Sequence, residues 1–399
     1  MTLGTMAVQC IWGLGAIFMA EVVRDTYHIA SHTFPPLQTL HNWHHRAYKR
    51  DFTPVSGELY AKAQLYNDVP ESLAMMAAIA VLALALGLPG LWLGVLYSGG
   101  FLLSALLRAQ GWLLTTDLTH EPGPLDTIPR PWLVNRSYHW RHHFDNVNAY
   151  YAGNFTVLDK LLGTALSLKN KTVAVTGASG TLGRSLMTAL AQRGAKPIAL
   201  TTSPGADFPE GITVQSWQPG QEAALQPILQ KVDILIINHG VNVHRDRTPA
   251  AINLSLEVNA LSALRLMDVF METVAPPAGM AIKEIWVNTS EAEVGPAFSP
   301  LYEVSKRLLG DLVTLRRRDA PCTIRKIVLG PFKSALNPVG IMSASWVAWA
   351  VVALAQRDIR NIIVTINPLT YLAFPFKELT QGLYFRLFSQ TAKHKQTPK

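Results

Sequence analysis

Cysteine is nearly missing from this chain of 399 residues: only Cys10 and Cys322 occur, far apart. Neither a disulfide framework nor a thiolate metal site can be built from two such residues, and the reactive parts are expected to face a reducing cytosol. Charge is scarce as well. Asp, Glu, Lys and Arg make up 16% of the sequence against 49% hydrophobic residues, which is more apolar than an ordinary soluble chain and points to membrane contact. The formal charge of +8 is not gathered in a basic run interleaved with aromatics, so nucleic acid is not expected as a partner; the cations flank apolar stretches, where they suit anionic lipid. The length exceeds one ordinary core and fits two domains.

Two stretches lack charge almost entirely. From Thr2 to Val23 the only charged residue is Glu21, over about the length that crosses a bilayer core of roughly 30 Å. No Lys or Arg precedes it, as one would before the apolar part of a cleaved leader, so the segment is expected to stay. Between Glu71 and Arg108 there is no charge at all, and the run is broken once, at Gly87 to Gly90 (GLPG). Proline and glycine end one helix there and allow a turn, which predicts a transmembrane hairpin. Arg24, Arg46, Lys49, Arg50, Arg108, Arg130, Arg136 and Arg141 all lie on the side away from the hairpin turn. The excess of cations on the cytoplasmic side of membrane loops therefore predicts an integral membrane protein with its catalytic parts facing the cytoplasm.

Histidine is present in a pattern. Nine of 12 fall in the first 145 residues: His28 and His32 in HIASH, His41, His44 and His45 in HNWHH, His120 in TTDLTHE, and His139, His142 and His143 in HWRHH. A lone histidine beside apolar sequence is usually structural, but a repeated HxxHH in so histidine-poor a chain is not explained that way. On a helix, residues three and four apart share a face, so each cluster aims two or three imidazoles in one direction. Imidazole is the commonest metal ligand, and this many exceed what one tetrahedral zinc can use, which implies two metal ions. HExxH is absent, against a zinc protease, and so is the Glu-x-x-His of soluble di-iron bundles. Histidine-rich iron at a membrane surface suggests oxygen activation.

The order HxxxH, HxxHH, hairpin, single histidine, HxxHH resembles that of the membrane fatty acid hydroxylase and sterol desaturase superfamily. The following NAYYAGNFTVLDKLLGT, with Asp159, Gly163 and Thr164, is similar to that family's W-D-x-x-F-G-T tail, Leu158 standing where tryptophan is usual. The resemblance covers residues 1 to 165. It implies an α-helical membrane domain in which the nine histidines hold two iron ions, and dioxygen is used to hydroxylate or desaturate a lipid, isoprenoid or sterol-like substrate. Asp117, Asp145 and Asn146 are candidates to orient the ligands.

From Lys171 the texture changes. TVAVTGASGTLGRSLMTALAQRGAKPIALTTS is a β-branched run, a glycine-rich turn, a helical pattern and a second apolar run, a βαβ unit in which Gly177, Gly180 and Gly183 let backbone approach a pyrophosphate at a helix N-terminus. Two more apolar strands end at Asn238 and Gly240 and at Ser290, Asn259 lies on a helix between them, and YEVSK supplies Tyr302 and Lys306. Tyr and Lys one turn apart share a face, so the ammonium is expected to lower the phenol's pKa, with Ser290 bonding the substrate oxygen.

These elements resemble the short-chain dehydrogenase/reductase family over residues 171 to about 340, which implies an α/β doubly wound parallel sheet. Carried over by motif, Tyr302 is the acid or base, Lys306 also holds the nicotinamide ribose, Ser290 positions the substrate and Asn259 carries a water relay. Thr176, Gly177, Ser179, Gly180, Gly183, Arg184, Thr201, Asn238 and Gly240 are the implied cofactor contacts. The Ser290 to Tyr302 distance is a residue shorter than the family's, leaving Thr289 or Ser299 as alternative serines. His239 stands where alanine is usual and Glu291 where a small residue is, and Gly330 to Ser334 resembles the segment that covers the nicotinamide. No acidic residue ends the second strand; Thr201 to Ser203 stands there, which favours NADP, with Arg184 on its 2′-phosphate, over NAD.

Residues 1–167 are thus read as the di-iron domain, 168–340 as the dehydrogenase, and 341–399 as a membrane-associated extension whose helical pieces are interrupted at Pro368 and Pro375. The arrangement resembles bacterial bifunctional sterol desaturase/short-chain dehydrogenase proteins: oxidation at a lipid carbon, then dehydrogenase chemistry on the oxygen function. A nicotinamide without a flavin transfers hydride rather than single electrons, so an external donor, a ferredoxin or cytochrome, is expected. The alternatives are a membrane-anchored reductase with a vestigial metal domain, or a non-catalytic assembly subunit.

Overall fold

A computed structural model describes residues 2–203, 205–275 and 278–390. The chain forms two compact units, Met1–Leu166 and Ser167–Lys399, within a residue of the first expected boundary.

The first unit is helical. Its elements are α1 (Leu3–Thr33), α2 (Pro35–Arg46), α3 (Gly57–Ala63), α4 (Val69–Leu86), α5 (Trp92–Ala109), α6 (Arg136–Phe144) and α7 (Val157–Leu162). Three helical stretches, Leu3–Thr33, Gly57–Leu86 and Pro89–Ala109, are long and apolar enough to cross a membrane. The first runs ten residues beyond the expected span, so its end carries His28 and His32 past the apolar stretch. Gly87 caps α4 at φ 62°, a left-handed conformation that glycine adopts without a Cβ clash, and Pro89 opens the next turn. The hairpin therefore closes where its sequence foretold. Small residues let the spans touch: a Cβ on Gly94 would fall 2.8 Å from the Ala16 Cβ. Among lipid tails, such close packing replaces the hydrophobic drive as the force between helices. Leu14, Val81, Leu84, Leu96 and Leu103 point outward, as lipid-facing residues do.

Between α3 and α4 the backbone makes a π turn, Gln64–Asp68. The extra residue in that turn rotates Asn67 and Asp68 relative to a regular α-helix, a device that recurs at functional sites. The α6 helix is short and polar yet buried from Ser137 to His143; the Asn135 side chain caps it by accepting from the Tyr138 amide at 3.1 Å.

The second unit is a parallel sheet of seven strands in the order β3-β2-β1-β4-β5-β6-β7: β1 (Thr172–Thr176), β2 (Lys196–Thr201), β3 (Thr213–Ser216), β4 (Ile234–Ile237), β5 (Glu284–Asn288), β6 (Thr323–Leu329) and β7 (Asn361–Val364). Helix α8 (Thr181–Ala191) follows β1. The strand order reverses between β1 and β4, and doubly wound sheets bind their ligands at that crevice. Fully buried Arg325 pairs with Glu284 at 2.8 and 2.9 Å, tying β6 to β5. Residues 341–390 belong to this unit and supply its seventh strand. The last helix, Thr370–Phe388, runs through Pro375, contrary to the expected interruption: proline falls in its second turn, where one backbone bond is forgone near the helix start. Residues 391–399 of the expected extension lie outside the described residues.

Candidate metal centre and dehydrogenase site

All nine predicted histidines converge. His28, His32, His41 and His142 form one group and His44, His120, His139 and His143 another, with one ligand atom from each ring within 4.8 Å of the rest of its group. His45 sits beside both, its Nε2 2.9 Å from that of His41 and its ring 4.7 Å from that of His143. Within the first group Nε2 atoms approach to 3.0 Å (His28 and His142) and 3.2 Å (His32 and His142), and within the second to 2.8 Å (His120 and His139) and 3.0 Å (His44 and His143). Nitrogens about 2.1 Å from a shared ion stand roughly 3 Å apart, so the spacing is that of ligands around a centre.

The partners of the outward nitrogens show which lone pairs are free. His28 Nδ1 lies 2.7 Å from the Tyr151 carbonyl and His142 Nδ1 2.8 Å from the Ala149 carbonyl. A carbonyl only accepts, so both Nδ1 atoms carry the proton and both Nε2 atoms are bare in the neutral ring. His41 Nδ1 meets Asn67 Oδ1 at 2.6 Å and His120 Nδ1 meets Asp117 Oδ1 at 2.7 Å; these are acceptors too. Burial, reinforced by neighbouring rings, holds His44, His45, His139, His142 and His143 well below the usual imidazole range, and burial takes His41 to about 4. Protons therefore do not separate the converging lone pairs, and a metal cation fits among them.

Of the predicted orienting residues, Asp117 meets His120 and also accepts from the Tyr48 and Tyr60 hydroxyls, each at 3.1 Å. Asp145 accepts from Tyr150, and Asn146 accepts from the Asn148 amide. Asp159 has a role its motif did not disclose. Its carboxylate accepts from the amides of Tyr151 at 3.0 Å and Ala152 at 2.8 Å and from the Tyr138 hydroxyl at 2.8 Å, and so fixes the loop whose carbonyls face His28 and His142. Sequence reasoning missed Asn67 altogether; the polar NDVP next to an apolar run was its only signal.

In the second unit, a cavity of about 490 Å³ is lined by Asn238, Gly240, Ser290, Tyr302 and Lys306, among others. Tyr302 and Lys306 come from the Pro300–Arg316 helix. Ser290 lines this cavity together with Tyr302, and its hydroxyl accepts from the Ala292 amide at 3.2 Å. Thr289 is committed to the Ile327 carbonyl at 3.2 Å and Ser299 to Asn242 at 2.7 Å. Lys306 Nζ donates to the Asn288 carbonyl at 3.2 Å. Burial pulls its ammonium down to about 8, opposed by Glu293. The phenol of Tyr302 stands above its ordinary value, not below as expected: burial outweighs the opposing influence of the nearby Ser290 hydroxyl, and the ammonium is 5.8 Å from the ring centre. Asn259 again lies in a π turn, Glu257–Leu261, accepting from the Val241 amide at 2.8 Å and donating to the Ser305 hydroxyl at 2.9 Å.

The glycine turn fits a dinucleotide. Gly177 has φ 60°, and a Cβ on Gly183 would fall 2.2 Å from the Gly177 carbonyl oxygen, so the strand-to-helix turn is as tight as the cofactor's approach requires. Gly180 is the N-cap of α8. Thr176 is fully buried, and its hydroxyl accepts from the Asn238 amide at 2.8 Å; it ties β1 to the end of β4 beneath the site. Thr201 Oγ1 donates to Ser179 Oγ at 3.0 Å, and Arg184 Nη1 donates to the Asp207 carbonyl at 2.7 Å. Hydroxyls and a guanidinium thus stand at the end of β2. His239 bonds Thr176 at 2.9 Å and meets the Trp217 ring edge-on, and burial, with Lys306 adding, lowers its ring to about 3.

A family model described as fatty acid hydroxylase matches residues 13–164. Over 419 aligned residues the chain is 53% identical to a monoglucosyldiacylglycerol epimerase of Synechocystis sp., covering 96% of this chain and 100% of that protein. Among solved structures it is similar to a short chain dehydrogenase from Burkholderia cenocepacia in complex with NADP, at 18% identity over 56% of this chain and 100% of that one, with a TM-score of 0.46. An alcohol dehydrogenase from the archaeon Thermococcus sibiricus complexed with 5-hydroxy-NADP gives 17% identity over 50% and 96%, with a TM-score of 0.43.

Proposed function

The chain belongs to the family of the monoglucosyldiacylglycerol epimerase, membrane enzymes that join a fatty acid hydroxylase domain to a short-chain dehydrogenase/reductase, and on that premise we propose that it inverts one hydroxyl-bearing carbon in the sugar headgroup of a monoglucosyl glycerolipid. The observation that carries the reading is the set of Ser290, Tyr302 and Lys306 in one cavity. Inversion at such a carbon removes a hydride and the hydroxyl proton to leave a ketone, then returns both, the hydride to the opposite face; no net oxidant is consumed. When bound, NADP supplies the acceptor and donor of that hydride. Tyr302 takes the hydroxyl proton and gives it back, Ser290 holds the oxygen between the two steps, and the Lys306 ammonium favours the anionic phenol. The cavity is within the size range of pockets that enclose a whole small ligand, which leaves room for the ring to present either face. The hydroxyls of Ser179 and Thr201 with Arg184 support NADP over NAD.

The first unit is proposed to hold two iron ions, one among His28, His32, His41 and His142 and one among His44, His120, His139 and His143, with His45 beside both. When bound, iron in this family's setting supplies dioxygen activation, and single electrons would come from a ferredoxin or cytochrome. Both sites are assigned to the cytoplasmic side of the membrane, on the arginines and lysines around the histidine clusters. Leu372, Phe376, Leu379, Leu383 and Leu387 form an exposed stripe on the last helix; Lys393, Lys395 and Lys399 follow it in sequence, and we assign this face to an anionic lipid surface.

The histidine set also favours a second reading: hydroxylation or desaturation of a lipid carbon, with the dehydrogenase acting on the oxygen function. Product mass separates the two. Full-length protein in nanodiscs, given NADP and a monoglucosyl lipid of defined acyl chains, is expected to yield an isomer of unchanged mass. The Tyr302→Phe variant should make about a hundredfold less. A product that has gained an oxygen atom or lost two hydrogens, with no isomer, would favour the second reading and overturn the first.

A further inference from the structure

We infer that the cavity beside the histidines is a second site for the sugar ring of the glycolipid, separate from the dehydrogenase cavity, and not a site for an acyl chain. This rests on the epimerase reading for the identity of the lipid; the chemistry of the walls is independent of it. The cavity measures about 200 Å³ and touches both histidine groups, through His28 and His41 on one side and His44, His120 and His139 on the other. Among the described residues, only Met75, Phe101 and Leu118 bring apolar side chains other than histidine to its lining. A hydroxylase that receives a hydrocarbon at its metal needs an apolar tunnel, because methylenes cannot replace the hydrogen bonds that charged walls lose when water leaves.

Some of the polar wall is explained by the histidines, since Asn67 and Asp117 orient His41 and His120. Arg24, Glu71, Ser72 and Asn154 also line the cavity, and they hydrogen-bond none of the histidines. Arg24 Nε donates to Glu71 Oε1 at 3.0 Å. Its Nη1 is buried, 3.6 Å from Glu21 Oε2, and has no hydrogen-bond partner among the described residues. The ion pair with Glu21 leaves that buried donor and the Glu21 Oε2 acceptor both without a hydrogen bond among the described residues, and vicinal hydroxyls offer an acceptor and a donor on adjacent atoms. Size gives the same answer: a cavity of about 150 Å³ encloses a benzene ring, so this one takes a single six-membered ring with its substituents and not a long hydrocarbon.

The test reads the iron centre, not turnover. Iron-loaded full-length protein in nanodiscs is titrated with a dioctanoyl glycerol carrying one glucose and, separately, with dioctanoyl glycerol itself, following the electron paramagnetic resonance of the nitrosyl-treated iron. The glucosyl lipid is expected to change the spectrum saturably and the sugar-free lipid to leave it unchanged. Glu71→Gln is expected to raise the half-saturating concentration at least tenfold with iron content unaltered; the wild-type comparison stands even if that variant misfolds. Equal changes with both lipids, or none with either, would overturn the inference. If the spectrum ignores the glucosyl lipid while the same-mass isomer is still made, this site falls and the epimerase reading stands; a spectral change without any isomer is the converse.

Discussion

His28 Nε2 and His142 Nε2 face each other at 3.0 Å from positions 114 residues apart in sequence, and each ring donates its one N–H, at Nδ1, to a backbone carbonyl. Two bare lone pairs at that distance repel unless a cation lies between them. The arrangement is built from three parts: the end of a membrane-crossing helix, the α6 helix, and a loop held by Asp159 that supplies both carbonyls. The same logic extends to His41 through Asn67 and to His120 through Asp117.

Asn67 provides a direct check on that logic. Replacing it with leucine keeps the volume but removes the acceptor for His41 Nδ1, and losses of this kind cost about 10- to 100-fold in metal affinity. Competition with a graded series of iron chelators should show that loss in Asn67→Leu and little of it in Asn67→Asp, which keeps an acceptor. Equal affinity for wild type and Asn67→Leu would mean that the bond does not orient a ligand.

Lys306 sets a pH limit. Its folded value of about 8 lies below the ordinary lysine value of 10.5 because the ammonium is buried. The group is charged below about pH 8 and neutral above it, so a reaction that uses its charge should lose rate as pH rises through about 8. Lys306→Arg keeps the charge at all accessible pH and should move the fall upward. The stability term has the opposite slope: between about 8 and 10.5 the unfolded chain binds the proton that the folded chain has released, so this group's contribution rises with pH there. Rate profiles of the two proteins from pH 6 to 10 decide the first point, and a decline at the same pH in both would refute it.

Gly183→Ala is expected to cost about 1–3 kcal/mol of stability, the usual range for forcing an atom into a packed site, since the new Cβ would meet the Gly177 carbonyl oxygen at 2.2 Å. The dehydrogenase turn would be displaced, and NADP affinity measured by calorimetry should drop at least tenfold. Gly382→Ala is the control, because nothing lies within 4 Å of its added carbon; it should leave NADP binding unchanged.

Much of this was legible in the chain. The histidine clusters stood out because imidazole is rare here and its spacing repeats, and the hairpin because charge vanishes on either side of GLPG. The glycine turn and the Tyr302–Lys306 pair were readable because their residue types and spacing are dictated by the chemistry. Asn67 was hidden, since nothing in composition announces a π turn. The carbonyls of Ala149 and Tyr151 were hidden for a different reason: a backbone acceptor has no side-chain identity to read. Tyr302 departs from expectation because burial depends on everything packed around the phenol, whereas the sequence shows only the lysine one turn away. The helix through Pro375 shows that proline interrupts less near a helix start than within one.

Metal content tests the account most directly. Full-length protein reconstituted anaerobically with ferrous iron and freed of loose metal should hold about two iron ions per chain by elemental analysis, the number two four-imidazole groups can accommodate. His142→Ala and His143→Ala should each lower that number, since each ring belongs to a different group. Wild-type protein that retains no iron, or the same iron content in both variants as in wild type, would contradict the account.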